Sequence, residues 1–255
     1  MERSKLDKLD PRINHPFTCI VAGPTQSGKS TFVKNLIFHR NKYIKGEFDF
    51  VFIFVGMAPQ ENKELFALQE YFNDPQKCFV FDCRPLLESD TAKELDQNFR
   101  TFIIPLLKKR KGKKGCLIFD DLMKHFEQTS FMCDLFTKMS SHENLTVIYI
   151  TQNIFSCARG QGDNVTVYRN THVLVLFPNY LDNSPINIIA SRISMEGEKN
   201  TKKIKEMLLK IQKEFRYVVL RGDFNTPAKL RISSDYFNHL SDEVPYLFQV
   251  FPLEP

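Results

Sequence analysis

The chain has no tryptophan, no CxxC pair and no apolar run long enough to span a bilayer. Each absence excludes something. Without CxxC or Cys/His spacing of the zinc-finger kind, a structural zinc site has no sequence basis. The six cysteines at 19, 78, 83, 116, 133 and 157 lie mostly in or beside apolar stretches, as buried reduced thiols do, and imply a reducing compartment. The longest apolar stretch, FDFVFIFVGMAP, falls short of the ~20 residues of a membrane-spanning helix, so no membrane partner is expected. The polar start MERSKLDKLDPRINHP does not read as a signal peptide. A soluble protein acting inside the cell follows as the expectation, at a nuclear or cytoplasmic assembly site or within a particle. No internal repeat occurs. Charge is not extreme either: +5 at pH 7, which permits an anionic partner without requiring one.

What is present is a Phe-rich chain of 255 residues, 24 of them Phe, with an otherwise ordinary composition of 42% hydrophobic and 25% charged residues. A compact domain of that length buries about 70–75% of its unfolded surface, enough for a self-sufficient core. Apolar runs of strand length at 17–22, 48–56, 78–83, 115–120, 145–151, 172–177 and 217–221 alternate with amphipathic segments. Helices are predicted at 29–40, 61–73, 89–109, 129–142, 182–194 and 200–215. Strands apolar at nearly every position need helices on both faces, and strand–helix alternation predicts an α/β fold with a mostly parallel sheet. The expected organisation is a mobile arm over 1–16, one domain over 17–235, and an irregular Pro-containing tail over 236–255 with an edge strand beyond about 223.

Residues 23–30 read GPTQSGKS, directly after an apolar strand and before a helix. Gly23 and Gly28 allow a tight turn with N–H groups pointing inward, while Pro24, Thr25, Gln26 and Ser27 complete the loop. Lys29 supplies a mobile charge for terminal phosphates, Ser30 a hydroxyl for magnesium, and Thr31 continues the helix start. The run CLIFDD ends in two acids. Asp120 is assigned to the metal and Asp121 to deprotonating a water, with a plain acidic turn as the bland alternative. After LTVIYIT, Gln152 is positioned to hold that water if its strand lies beside the first; capping by Thr151 or Asn153 is the alternative. The predicted core is thus a P-loop ATPase of the ASCE, RecA-like kind, with ATP as substrate and Mg2+ as cofactor.

Two basic stretches stand apart. Residues 108–114, KKRKGKK, carry six basic residues in seven and lie on the sheet edge away from the nucleotide: a solvated loop first, an import signal or phosphate contact second. Residues 199–213 form a basic amphipathic helix whose Ile204, Met207, Leu208 and Ile211 fit a core stripe.

The segments HPFTCIVAGPTQSGKSTFVKNLI, CLIFDDLM, LFTKMSSHENLTVIYITQNIF and RNTHVLVLF together resemble the genome-packaging ATPases of polinton (Maverick) elements, adintoviruses and poxviruses, within the FtsK–HerA superfamily. The resemblance spans roughly 15–235 and includes Gln60 and INIIASRISMEG. It implies a homo-oligomeric ring, a hexamer, that drives double-stranded DNA into a preformed capsid, with the capsid protein as partner. It also implies an arginine supplied by a neighbouring subunit. In many relatives that arginine stands a few residues before the NTH asparagine; here the region reads GDNVTVYRN, so Arg169 is the first candidate, Arg159 the second and Arg192 a third. A nucleotide or nucleoside kinase is the rival activity, although no Arg-rich lid is evident. A GTPase lacks its NKxD element, and a non-catalytic scaffold is at odds with intact Lys29, Asp120 and Asp121.

Overall fold

The computed structural model describes residues 10–58, 61–122, 129–154, 163–194, 198–215, 217–223, 225–226, 231–234 and 246–248. Aromatic and β-branched runs buried along their whole length give the strands: β1 (Ile13–Asn14), β2 (Thr18–Ala22), β3 (Ile44–Lys45), β4 (Phe50–Val55), β5 (Cys78–Asp82), β6 (Gly115–Asp120), β7 (Leu145–Thr151), β8 (Val173–Leu176), β9 (Val218–Arg221), β10 (Ile232–Ser234) and β11 (Tyr246–Phe248). Every strand expected from the sequence forms. The helices between them are α1 (Lys29–Phe38), α2 (Arg40–Tyr43), α3 (Lys63–Phe72), α4 (Arg84–Leu87), α5 (Ala92–Lys108), α6, α7 (Asp163–Arg169), α8 (Ser184–Ile193) and α9 (Glu198–Phe215). Helix α6 begins as Phe131–Asp134, passes through a π-helical turn at Leu135–Met139 and ends as Ser140–His142.

Among the described residues nine strands form one sheet in the order β11-β10-β9-β8-β2-β7-β6-β4-β5. From β5 to β8 neighbouring strands run parallel; β9, β10 and β11 add antiparallel. The chain is therefore α/β, a mostly parallel sheet flanked by helices.

The pleat sorts side chains to two faces. Val21, Val51, Ile53, Ile118 and Ile148 pack against Phe32, Val33 and Leu36 of α1 and Leu65 and Leu68 of α3. Phe52, Phe54, Leu117, Phe119 and Val147 pack against α5, α6, α8 and α9. Helix α5 presents Leu95, Phe99, Ile103 and Leu107 at spacings of four, and Thr91 caps its start by accepting the Glu94 N–H at 3.2 Å. Ile204, Leu208 and Ile211 of α9 are buried, as the stripe predicted. The phenylalanine excess has a local purpose: the Phe54 ring stacks on Phe81 at 5.1 Å and on Phe119 at 4.9 Å across adjacent strands.

Cys19, Cys78, Cys83 and Cys116 are buried free thiols and Cys133 is half-buried; Cys157 lies outside the described residues. Burial pushes the Cys78 and Cys83 thiols up to about 12, so neither is a nucleophile. The 108–114 loop is exposed at the amino edge of the parallel strands, except that the Arg110 guanidinium lies 4.6 Å from the Phe52 ring centroid.

Three boundaries differ from the sequence expectation. Residues 10–16, read as the end of a mobile arm, are folded: Ile13 is buried and pairs in parallel with Ile44. Residues 246–248, read as irregular tail, form the outermost strand. Helix α7 was not anticipated, because its Val-Thr-Val run lowers helix propensity; the burial of Val167 is what holds it. Replacing the fully buried Phe54 with Ala should cost about 3–5 kcal/mol, read as a lowered denaturation midpoint with the helical circular dichroism unchanged at zero denaturant.

Candidate active site

The carboxyl ends of β4, β6, β7 and β2 reach one edge of the sheet in register, with Val55 opposite Asp120 and Ala22 opposite Thr151. The polar residues that follow these strands must meet there. They line a cavity of about 680 Å3 containing Thr25, Gln26, Lys29, Ser30, Gly56, Asn62, Asp120, Asp121 and Gln152.

The loop between β2 and α1 is shaped by contacts that only glycine tolerates. A Cβ on Gly23 would lie 2.5 Å from the Cβ of Phe177, and Gly28 holds φ 98° as it caps α1. No side chain caps α1 and its first turn carries no acid, so its positive end and free N–H groups face the loop. The Ser27 hydroxyl is buried with no partner among the described residues. Lys29 Nζ folds back to donate to the Gly23 carbonyl at 2.8 Å and the Pro24 carbonyl at 2.6 Å. An uncapped helix start, an orphaned hydroxyl and a lysine satisfied only by loop carbonyls fit an anion such as a phosphate.

Asp120 is buried at the end of β6. Its Oδ2 accepts from Ser30 Oγ at 3.2 Å and from Asn62 Nδ2 at 2.6 Å. Both bonds fall on one oxygen, so Oδ1 is the atom available to a cation. Desolvation raises the Asp120 carboxyl above the ordinary carboxylate value, against the bonds from Asn62 and Ser30 and the charge of Lys29. Desolvation likewise lowers Lys29, against the pull of Asp120 and Asp121. A buried carboxylate beside a hydroxyl is a donor set of the kind magnesium takes. Asp121 is exposed at the mouth with φ 55°, and its carbonyl sits where a Cβ on Gly56 would be, 2.2 Å away. The second acid is thus turned out of the strand by the backbone itself.

No family model matches the sequence, and neither does any curated protein. Among solved structures, the genome packaging NTPase B204 from Sulfolobus turreted icosahedral virus 2, in complex with ATP-gammaS, aligns with a TM-score of 0.42. It is 14% identical, and the match covers 84% of this chain and 93% of that one.

Of the residues expected from the sequence, Thr25, Gln26, Lys29, Ser30, Asp120, Asp121 and Gln152 line the one cavity. Thr31 is exposed on the first turn of α1. Strand β7 does lie beside β2, and in the local turn after it the Thr151 hydroxyl donates to the Asn153 backbone carbonyl at 3.0 Å; the exposed Gln152 lies at the cavity. Arg169 is not brought to this edge. It ends α7 at the opposite, amino edge, and β8 beyond it is flanked by β2 and β9 rather than lying at a sheet edge. Arg159 and Gln60 lie outside the described residues.

Two contributors were not seen in the sequence. Asn62 pins Asp120 while its Oδ1 accepts the Leu65 N–H at 3.2 Å, so one side chain ties the acid to the start of α3. Lys34 of α1 pairs with Glu64 of α3, joining the same two elements. An Asn before a helix signals a cap; nothing local signals that β4 and β6 are neighbours, which is what brings Asn62 to Asp120.

A carboxyl raised on folding favours the folded state most below its unfolded value, and that advantage is lost as pH rises through the folded value. At neutral pH ionised Asp120 therefore costs stability. Asp120→Asn should melt higher than the wild type at pH 7–8, and the difference should vanish as pH falls below the ordinary carboxylate range; equal melting at pH 8 would overturn this.

Proposed function

We propose that the chain is an ATP-hydrolysing motor that moves double-stranded DNA of a virus or virus-like element into a capsid. The observation that carries the ATPase part is the convergence of Lys29, Ser30, Asp120, Asp121 and Gln152 on one cavity from three separate elements, the start of α1 and the carboxyl ends of β6 and β7. The packaging part rests on the sequence resemblance.

In this reading the loop N–H groups and the start of α1 hold the phosphate chain of ATP. Lys29 leaves the Gly23 and Pro24 carbonyls for the β- and γ-phosphates. Ser30 and Asp120 would hold magnesium, which when bound neutralises charge on the phosphates. Asp121, free at the mouth, accepts the proton of the attacking water, and Gln152 orients that water without adding negative charge. Asn62 keeps Asp120 aligned. Subunits form a ring, a hexamer, with the capsid protein as a further partner. Each subunit offers Arg169, or failing that Arg159, to its neighbour's site. A position for Arg169 remote from its own phosphate loop is compatible with action in trans and excludes action in cis.

Long duplex DNA should accelerate ATP hydrolysis, with a stimulation that falls steeply with salt, about one log unit of affinity per log unit of salt for each phosphate contacted. No response to duplex at low salt, together with clear stimulation by a nucleoside monophosphate, would replace the motor with a kinase.

Asp121→Asn should retain Mg-ATP binding and lose turnover. Arg169→Ala should lose about 10³–10⁵ in turnover, the range for arginine fingers. Mixing the two inactive proteins should restore activity, since a mixed boundary pairs an intact acid with an intact arginine. Full activity of Arg169→Ala, or inactivity never rescued by mixing, removes Arg169 from the mechanism.

A further inference from the structure

Phe177 follows β8 at the carboxyl edge of the sheet, beside the 23–30 loop but on a different strand. Register fixes its place. Leu176 pairs with Ala22 of β2, and the Phe177 N–H donates to the Ala22 carbonyl at 2.8 Å. That sets it against Gly23, the first residue of the loop, where an added Cβ would meet the Phe177 Cβ at 2.5 Å and its Cα at 3.4 Å. The same side chain reaches the other end of the loop. Its Cε1 lies 3.5 Å from the point a Cβ on Gly28 would occupy. The buried ring is held from further sides by Phe32 of α1, with centroids 6.2 Å apart, and by Tyr217 ahead of β9, at 5.3 Å.

Between the two glycines the loop is open and strained. Thr25 and Gln26 are exposed, and Gln26 holds φ 62°, a left-handed conformation that a non-glycine residue keeps where its surroundings impose it. The Ser27 N–H closes a turn on the Pro24 carbonyl at 3.3 Å. The Gly23 N–H is held by the Thr151 carbonyl at 3.2 Å, and Lys29 holds the Gly23 and Pro24 carbonyls. When Lys29 gives up those carbonyls to phosphates, the Thr151 carbonyl and Phe177 still bear on Gly23. An ordinary core phenylalanine would also be buried against Phe32 and Tyr217; reaching both loop glycines is what sets Phe177 apart. Backbone N–H groups bind a phosphate chain only at set positions, so affinity scales with the fraction of time the loop keeps its shape.

We propose that Phe177 is a positioning residue for the phosphate loop: bearing on Gly23 and Gly28 at once, it holds the loop in the shape that takes a phosphate chain. The inference rests on the ATPase reading above, and the test separates the two.

Phe177→Leu keeps the Cβ against Gly23 and an apolar body, but withdraws the ring from Gly28. Phe177→Ala withdraws everything beyond the Cβ. Phe99→Leu, a fully buried position packed on the other face of the sheet, controls for lost packing alone. Magnesium tripolyphosphate and Mg-ATPγS are titrated by calorimetry on each protein, and hydrogen exchange of the 23–30 segment is followed without ligand. Phe177→Leu should weaken both probes about tenfold, as for a loop in its competent shape a tenth of the time, and Phe177→Ala should weaken them further. The 23–30 segment should exchange faster in both variants, and saturating Mg-ATPγS should restore the wild-type rate. Phe99→Leu should lower the melting temperature and leave affinity and loop exchange unchanged. Wild-type affinity or wild-type loop exchange in Phe177→Leu, or equal losses in Phe99→Leu, would overturn the positioning role while the ATPase reading stands. A wild type that binds neither probe would overturn both.

Discussion

Burial of both faces of the parallel strands is the constraint from which the rest of the molecule follows. Strands such as FVFIFV and LTVIYIT have no solvated face, so their neighbours must be strands and their covers must be helices. Polar and charged side chains then lie on the outer faces of the helices and at the two edges where strands end. Register completes the argument. Because Val55, Asp120, Ala22 and Thr151 end at one level, the residues after them share one cavity. The opposite edge collects what precedes the strands: the lysine-rich loop before β6 and the arginines around β8 and β9. One chain thus carries two rims, one with the polar cavity and one where lysines and arginines stand among Asp49, Glu143 and Asp223.

The part of the site legible in the sequence is the part encoded locally. A strand, a glycine-bounded loop and a helix start are contiguous in GPTQSGKS, so Lys29 and Ser30 could be placed without knowing any long-range contact. Asp120 and Gln152 were legible for a similar reason, each standing just past a strand whose length the apolar run fixes. Asn62 was not, because its role depends on β4 lying beside β6, and strand order is not written in any one segment. The arginine assignments failed to resolve for the same reason. A residue's distance from the phosphate loop along the chain says nothing about which edge of the sheet it occupies. Helix α7 and the packed residues 10–16 were obscured differently. Their local propensities are weak, and a single buried side chain, Val167 or Ile13, decides each.

The acid at the centre of the cavity illustrates how binding chemistry is held in an apolar protein. Asp120 has two donors on one oxygen and a lysine nearby, yet burial still outweighs them and keeps its proton affinity high. A cation that reaches Oδ1 would relieve that tension. Residues aligned by Asn62 and by the Lys34–Glu64 pair belong to α1 and α3, so relief at the acid acts on two helices at once.

The position of β2 in the sheet also bears on how the chain is made. It lies between β7 and β8, strands that begin at Leu145 and Val173, so the first long strand synthesised has no sheet partner until most of the chain has left the ribosome. Strands β4, β5 and β6 can pair among themselves earlier, but the strand bearing the phosphate loop joins them only through β7. Such late, non-local closure belongs to slow folding. The half of the molecule that carries the 23–30 loop therefore assembles after β4, β5 and β6, and until then its apolar strand is open to aggregation or to a chaperone.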